Sequence, residues 1–152
     1  MNRMGALTAT TAVGCGLAGG VLLGFSAFVM RALDALAPAD AIRAMQSINR
    51  FAVTPLFMAL LFGTALAALV LAGLSLADGP RPLVPTGCAL YLVGVIGVTV
   101  AGNVPLNDTL AAVDPAAGDA AASWAAFADP WTVLNHVRTA AAVLAAAMLT
   151  AA

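Results

Sequence analysis

Charged side chains are so unevenly spread along this chain that the gaps between them outline its elements. No charge falls between Leu7 and Met30, between Phe51 and Ala77, or between Leu83 and Val104. A bilayer core about 30 Å thick needs roughly 20 apolar helical residues, so each of these runs is long enough to span it. A fourth run, from Pro130 to Ala152, is weaker: its apolar part is mostly alanine, and it carries Asn135, His136 and Arg138. An arginine near the middle of a span costs about 2.5–3.5 kcal/mol, so this helix needs the other three to bury its polar side. The pattern predicts an all-α fold, a four-helix transmembrane bundle forming one integral membrane domain over residues 1–152, with spans near 7–30, 51–77, 83–104 and 130–152.

The ends of the spans carry their own signals. Pro55 lies in the first turns of the second span, and Pro105 disfavours helix at the residue before it, which ends the third near Val104. Asp129-Pro130 reads as an acidic N-cap followed by proline at the first helical position. Asp78-Gly-Pro-Arg-Pro predicts a tight hairpin between the second and third spans. The other connections are longer. Pro38–Arg50 places Ile42, Met45 and Ile48 near one face, and Ala116–Ala128 has Trp124 and Phe127 three apart; both predict short interfacial helices. Gly16, Gly20 and Gly24 recur every fourth residue along the first span, a smooth stripe for close helix approach. The uncharged stretch from Met4 to Met30 far exceeds the about 7–15 apolar residues of a signal peptide, and is read as a retained helix.

Composition agrees with the pattern. Hydrophobic residues make up 62% and charged residues 9%, against about 45–50% and 25% in soluble domains. The expected location is a multi-pass position in a membrane, in this reading the bacterial cytoplasmic membrane. All basic residues are arginine and all acids aspartate, the net charge is −1, and no basic run exists, so nucleic-acid binding has no electrostatic support. Cys15 and Cys88 lie singly in apolar runs, which excludes a Cys-x-x-Cys oxidoreductase and suits small packing residues. One histidine, no glutamate and two separated cysteines cannot assemble the usual zinc or haem ligand sets. Asp34, Asp78 and Asp129 stand at span ends, which argues against a proton-coupled exporter. Arg31, Arg43, Arg50 and Arg138 outnumber Arg3 and Arg81 across the membrane, which by the positive-inside rule would make their side cytoplasmic, a count that arginines belonging to a site would bias.

What remains is a polar constellation at one end of the bundle. His136 is the sole histidine and sits within one turn of Asn135 and Arg138; Asn103, Asn107 and Asp108 close the preceding span. Trp131, Asn135 and Arg138 follow at i, i+4 and i+7 on one stripe, with His136 about 100° round from Asn135. Such groups can serve only as hydrogen-bond glue between helices, Arg138 with Asp108 as a structural ion pair, and Trp124 and Trp131 as interfacial belt residues. Gathered at one end, they point instead to a functional site, because intramembrane polar clusters mark substrate paths.

Gly24-Phe-Ser-Ala-Phe-Val-Met, Ile48-Asn-Arg, Asn103-Val-Pro-Leu-Asn-Asp and Trp131-x3-Asn-His-x-Arg-Thr together resemble the anthrone oxygenase-like family of small four-helix membrane proteins. The resemblance implies oxidation of an anthrone, or another planar aromatic or polyketide-type molecule, by O2 without a cofactor. Its partners would then be the small-molecule aromatic substrate, O2 and the lipid bilayer, with a homo-oligomer left open. In that chemistry His136 would be the base, Asn103, Asn107 or Asn135 would donate to the enolate oxygen, and Arg138 or Arg50 would supply positive charge. Asp108 would orient His136 or Arg138, Trp124 or Trp131 would stack on the substrate, and Asn49 beside Arg50 would contact it. The alternative is a non-enzymatic membrane protein that binds a lipid or quinone or assists a partner. A cavity of tricyclic size favours the first reading, and a closed, fully bonded cluster the second.

Overall fold

The computed structural model describes residues 3–77, 82–116 and 118–152, and these form five helices. Four are long and apolar enough to cross a membrane: α1 (Arg3–Asp34), α3 (Pro55–Ala77), α4 (Leu83–Ala111) and α5 (Ala120–Thr150). The fifth, α2 (Pro38–Ala52), is short and amphipathic. The four long helices alternate in direction and form a ring in which α1 and α4 each pack on both α3 and α5. α2 lies across one end of the ring, against α1, α4 and α5. The predicted hairpin at Asp78–Pro82 falls largely outside the described residues.

The alanines of α5 are explained by its neighbours. Ala141, Ala142 and Ala145 are buried in a core shared with Ala12, Cys15 and Ala18 of α1 and Val84, Cys88, Tyr91 and Val95 of α4. A Cβ added at Gly94 would come within 2.5 Å of the Ala141 Cβ, and one at Gly19 within 3.2 Å of the Ala142 Cβ. Small residues facing small residues let the backbones approach, which is how helices associate where lipid is as apolar as leucine. The expected Gly16–Gly20–Gly24 stripe is not this contact. Gly16 and Gly20 are exposed, and nothing lies within 4 Å of a Cβ placed at Gly20. The buried face of α1 runs instead through Thr11, Gly14, Cys15, Ala18, Gly19 and Leu22.

Two prolines read as boundaries lie inside helices. α4 does not end at Val104: it is π-helical over Leu90–Gly97 and again over the turn Thr99–Asn103, and continues to Ala111. The Val104 N–H reaches the Thr99 carbonyl five residues back, so Pro105 falls in the first turn of the segment after the shift, where a missing N–H costs little. Likewise α5 begins at Ala120 rather than at Pro130, and the expected second interfacial helix is its first turns. The run Ala120–Ala128 is dominated by alanine, the best helix former, and Pro130 lies on the exposed side of the helix. By contrast, Thr54 and Pro55 do mark a start. The Thr54 hydroxyl accepts from the Phe57 N–H at 3.3 Å, with Pro55 as the first residue of α3. α1 also carries a π turn, Phe25–Val29, where the Met30 N–H reaches Phe25.

α2 roofs the end at which these irregular turns gather. Its Ile42 and Met45 are buried beside Met30, Leu33, Leu110, Trp124, Phe127 and Trp131. Gln46 Nε2 donates to the carbonyls of Leu110 and Val113, each at 2.9 Å, and so ties α2 to the end of α4. The first turns of α3 scarcely touch the two π turns of this end, and a space opens between them.

If the Gly94–Ala141 approach sets the α4–α5 distance, Gly94→Val forces backbone apart and lowers stability by about 1–3 kcal/mol. Gly20→Ala, in open space, keeps or slightly raises the thermal midpoint of the detergent-solubilised protein. Circular dichroism melts of the two variants measure the difference, and equal midpoints would contradict the packing described.

Candidate functional site

The stripe Trp131–Asn135–Arg138 turns into the bundle, and Asn135 is its hub. Completely buried, this amide uses both of its N–H groups and its oxygen. Nδ2 donates to the Leu22 carbonyl and to Ser26 Oγ, each at 2.8 Å, and Oδ1 accepts from Arg138 Nη2 at 2.8 Å. Asn135 therefore ties α5 to the start of the π turn in α1 and holds the guanidinium as well.

Arg138 does not snorkel toward the membrane surface. It is 7% exposed, stacks 5.3 Å from the centre of the Trp131 ring, and donates through Nη1 to Thr99 Oγ1 at 3.2 Å. Thr99 spends its own proton on the Val95 carbonyl at 2.6 Å, so it presents only a lone pair to the arginine. Arg138 lies twelve residues from Thr150, about 18 Å along the helix axis, and thus well inside the span. It takes part in no ion pair among the described residues, and its Nε is buried with no hydrogen-bond partner.

This guanidinium lines a cavity of about 540 Å³ at the α2 end. Phe25, Phe57, Met58, Leu61 and Ile48 supply apolar walls, while Asn49, Thr54, Thr99, Asn107 and Arg138 supply polar atoms. The rim residues Phe51, Val53, Phe62 and Val104 are exposed and apolar. Trp131 forms one side, with Phe25 tilted against it at 5.5 Å and its Nε1 donating to Asn107 Oδ1 at 2.8 Å. With Oδ1 occupied, Asn107 has its amide N–H groups left for a ligand. Asn49 Nδ2 is likewise buried without a partner. Of the buried polar atoms without a partner around the cavity, Asn49 Nδ2 and Arg138 Nε are donors, and Asn103 Oδ1, just outside the lining, is an acceptor. A second cavity, about 580 Å³, lies at the opposite end between Met4, Val84, Ala146 and Leu149, with the hydroxyls of Thr8, Ser75 and Thr150 among its lining residues.

Of the residues singled out in the sequence, Asn49, Asn107, Trp131 and Arg138 line the first cavity, and Asn135 braces it from behind. Asn103 is buried just outside the lining, donating through Nδ2 to the Trp131 carbonyl at 3.2 Å. The remaining four stand away from it. Arg50 and Asp108 are exposed and line no part of the cavity, and Asp108 reaches neither His136 nor Arg138. Trp124 is buried against Phe127 and donates to Asp34 Oδ1 at 2.8 Å.

His136 is exposed on the flank of α5 and does not line the cavity. Its Nδ1 lies 2.9 Å from Ser26 Oγ. Ser26 Oγ also accepts from Asn135 and lies 3.2 Å from Thr139 Oγ1, and Thr139 donates to the Asn135 carbonyl, so His136 joins a hydroxyl–amide network that anchors α5 to α1.

Sequence reasoning passed over Ser26 and Thr99. Both had a signal. Ser26 is the sole polar residue of Gly24–Met30, and Thr99 lies four residues before Asn103, on the same face of α4. Among the described residues no group of three or more His, Cys, Asp or Glu side chains is placed to hold a metal ion.

Residues 45–148 match the family model described as anthrone oxygenase, and the chain belongs to that family. No curated protein matches the chain. No solved structure matches it either.

The hub predicts a ranking of variants. Asn135→Leu strands Arg138 Nη2 and the groups on α1, and costs about 1–3 kcal/mol. His136→Ala removes one exposed contact and costs about 0.6 kcal/mol. Thermal midpoints in detergent read both, and a larger loss for His136→Ala would reverse the assignment of the hub.

Proposed function

We propose that this chain oxidises a planar, acidic aromatic molecule of the anthrone type with O2 in the cavity beneath α2. The observation that carries the reading is Arg138: a buried cation without a counter-ion among the described residues, lining a largely apolar space of tricyclic size. Overall, an anthrone methylene loses two hydrogens and gains one oxygen atom, so that anthrone and O2 give anthraquinone and water. The difficult part is forming the carbanion, which in its other resonance form is an aromatic enolate with its charge on the ring oxygen. Once formed, such an anion can pass an electron to O2 directly.

Each lining residue has a part in this scheme. Arg138 stabilises the enolate oxygen from within a low-dielectric wall, where a preorganised donor is worth about 10²–10³-fold in rate. Asn107 and Asn49 donate to the same oxygen or its neighbour. Trp131 and Phe25 offer a face for the rings, and the aromatic and aliphatic walls keep water from the intermediate. Asn135 and Thr99 position Arg138 without touching substrate. His136, outside the lining, has no direct role in this scheme.

The reading is tested with purified protein, emodin anthrone and air, following quinone absorbance. Arg138→Gln is expected to lower kcat by about 10²–10³-fold. His136→Ala should cost less than about tenfold, whereas a general base contributes about 10²–10⁴-fold; a loss in that larger range would restore the base role to His136. Equal rates with protein and with detergent alone would remove the oxygenase reading for this substrate and leave a non-catalytic binder of quinones or lipids.

A further inference from the structure

The cavity holds a cation and spare donors, but nothing that could take a proton. No aspartate, glutamate, histidine, cysteine or tyrosine is among its described lining residues. On the elements around it, Arg31 and Asp34 belong to α1, Asp40, Arg43 and Arg50 to α2, and Asp108 to α4, and none of them reaches the lining. On α5, Asp129 and His136 are exposed and outside it; α3 carries no charge. Arg3 stands at the far end of α1. Cys15, Cys88 and Tyr91 lie in the core toward that far end, with the Tyr91 hydroxyl donating to the Leu61 carbonyl at 3.2 Å.

The guanidinium is also incompletely used. It has five N–H groups, and the structure engages Nη1 with Thr99 and Nη2 with Asn135. Nε has no partner although the side chain is 93% buried, since its exposure is 7%. Asn49, whose Nδ2 is also buried and unpartnered, and half-buried Asn107, whose amide N–H groups are free once its Oδ1 accepts from Trp131, line the same cavity. A buried cation among donors is complemented by an anion that only accepts.

We infer that the site binds its ligand as an oxyanion, the conjugate base of a phenol or enol, and that it does so without a protein base. This deepens the oxygenase reading and rests on it for the shape of the ligand. The O–H bond of the phenol, or of the enol tautomer into which an anthrone methylene converts, breaks outside the cavity, the electron pair stays on oxygen, and the proton passes to water at the membrane surface. Arg138 and the amides of Asn49 and Asn107 then hold the anion, so binding makes the ligand a stronger acid. Neutral tricycles of the same outline lack the charge that Arg138 requires and bind more weakly.

The test uses 1,8-dihydroxyanthraquinone, which is yellow as the phenol and red as the phenolate and has no methylene left to oxidise. With the full-length protein in detergent, the midpoint of the colour change is expected to fall by at least about one pH unit, a tenfold rise in the ionisation constant. Arg138→Gln should still bind the dye but show no fall; Arg138→Lys, which keeps the charge, should retain part of it. Binding without any fall in the wild-type protein, an equal fall in Arg138→Gln, or no binding at all would each overturn the inference. Should Arg138→Gln fail to fold, competition by unsubstituted anthraquinone on the wild-type protein decides. Displacement of the red form by an equimolar amount of this neutral tricycle overturns the proposal, and failure to displace it supports it. Because the dye cannot turn over, these results are independent of the oxygen assay. Turnover of emodin anthrone with no colour shift would sink the anion reading and leave the oxygenase reading standing.

Discussion

A guanidinium held inside a membrane bundle with no carboxylate paired to it among the described residues is the constraint on which the rest of this structure depends. Arginine at mid-membrane is costly, and removing a buried charge from water is repaid only by close, well-aimed partners. Arg138 has three: the Asn135 oxygen, the Thr99 hydroxyl and the face of Trp131. All three are neutral, so they orient the charge without cancelling it. Two come from α5 itself and one from α4, while Asn135 is fixed in turn by α1. The arginine therefore requires three helices to meet at one depth.

That meeting is made possible by features that look like defects taken one at a time. Alanine gives α5 little driving force for insertion, yet it lets α1 and α4 come close enough for Asn135 and Thr99 to reach their partners. The π turns in α1 and α4 shift the helix register beside the polar stripe, and Leu22, Ser26, Thr99 and Asn103 all lie in or next to them. Wide turns of this kind recur at functional sites. Here they present hydroxyl and carbonyl groups to α5 from both sides.

Much of this was legible in the sequence. The spans follow from gaps between charges, since a bilayer tolerates few ionisable groups whatever the sequence around them. The stripe Trp131–Asn135–Arg138 follows from helical spacing, and Asn107 and Asn49 from their place at the same end. The prolines misled because Asp129-Pro130 and Val104-Pro105 carry the local chemistry of helix boundaries, while the fold decides whether a helix is already running when they arrive. His136 misled for another reason. It is 100° from Asn135, and a sequence cannot say which of two adjacent polar residues turns inward when valine and threonine lie on both sides of them. The deciding contacts, Leu22 and Ser26, are 113 and 109 residues away from Asn135.

The inward turn of Asn135 rather than His136 has a physical logic. An amide offers two donors and an acceptor in any protonation state, so it can brace a cation without competing for its charge. An imidazole in the same place would lose its acceptor on protonation and would then stand as a second cation beside Arg138, in a medium where like charges repel strongly. Keeping the histidine on the flank leaves one charge in the cavity, of one sign and at one place. Thr54, Asn49 and Asn107 add dipoles but no second charge. A cavity built in this way discriminates among flat apolar molecules by whether they can bring a negative oxygen to Arg138, and shape alone would not do so.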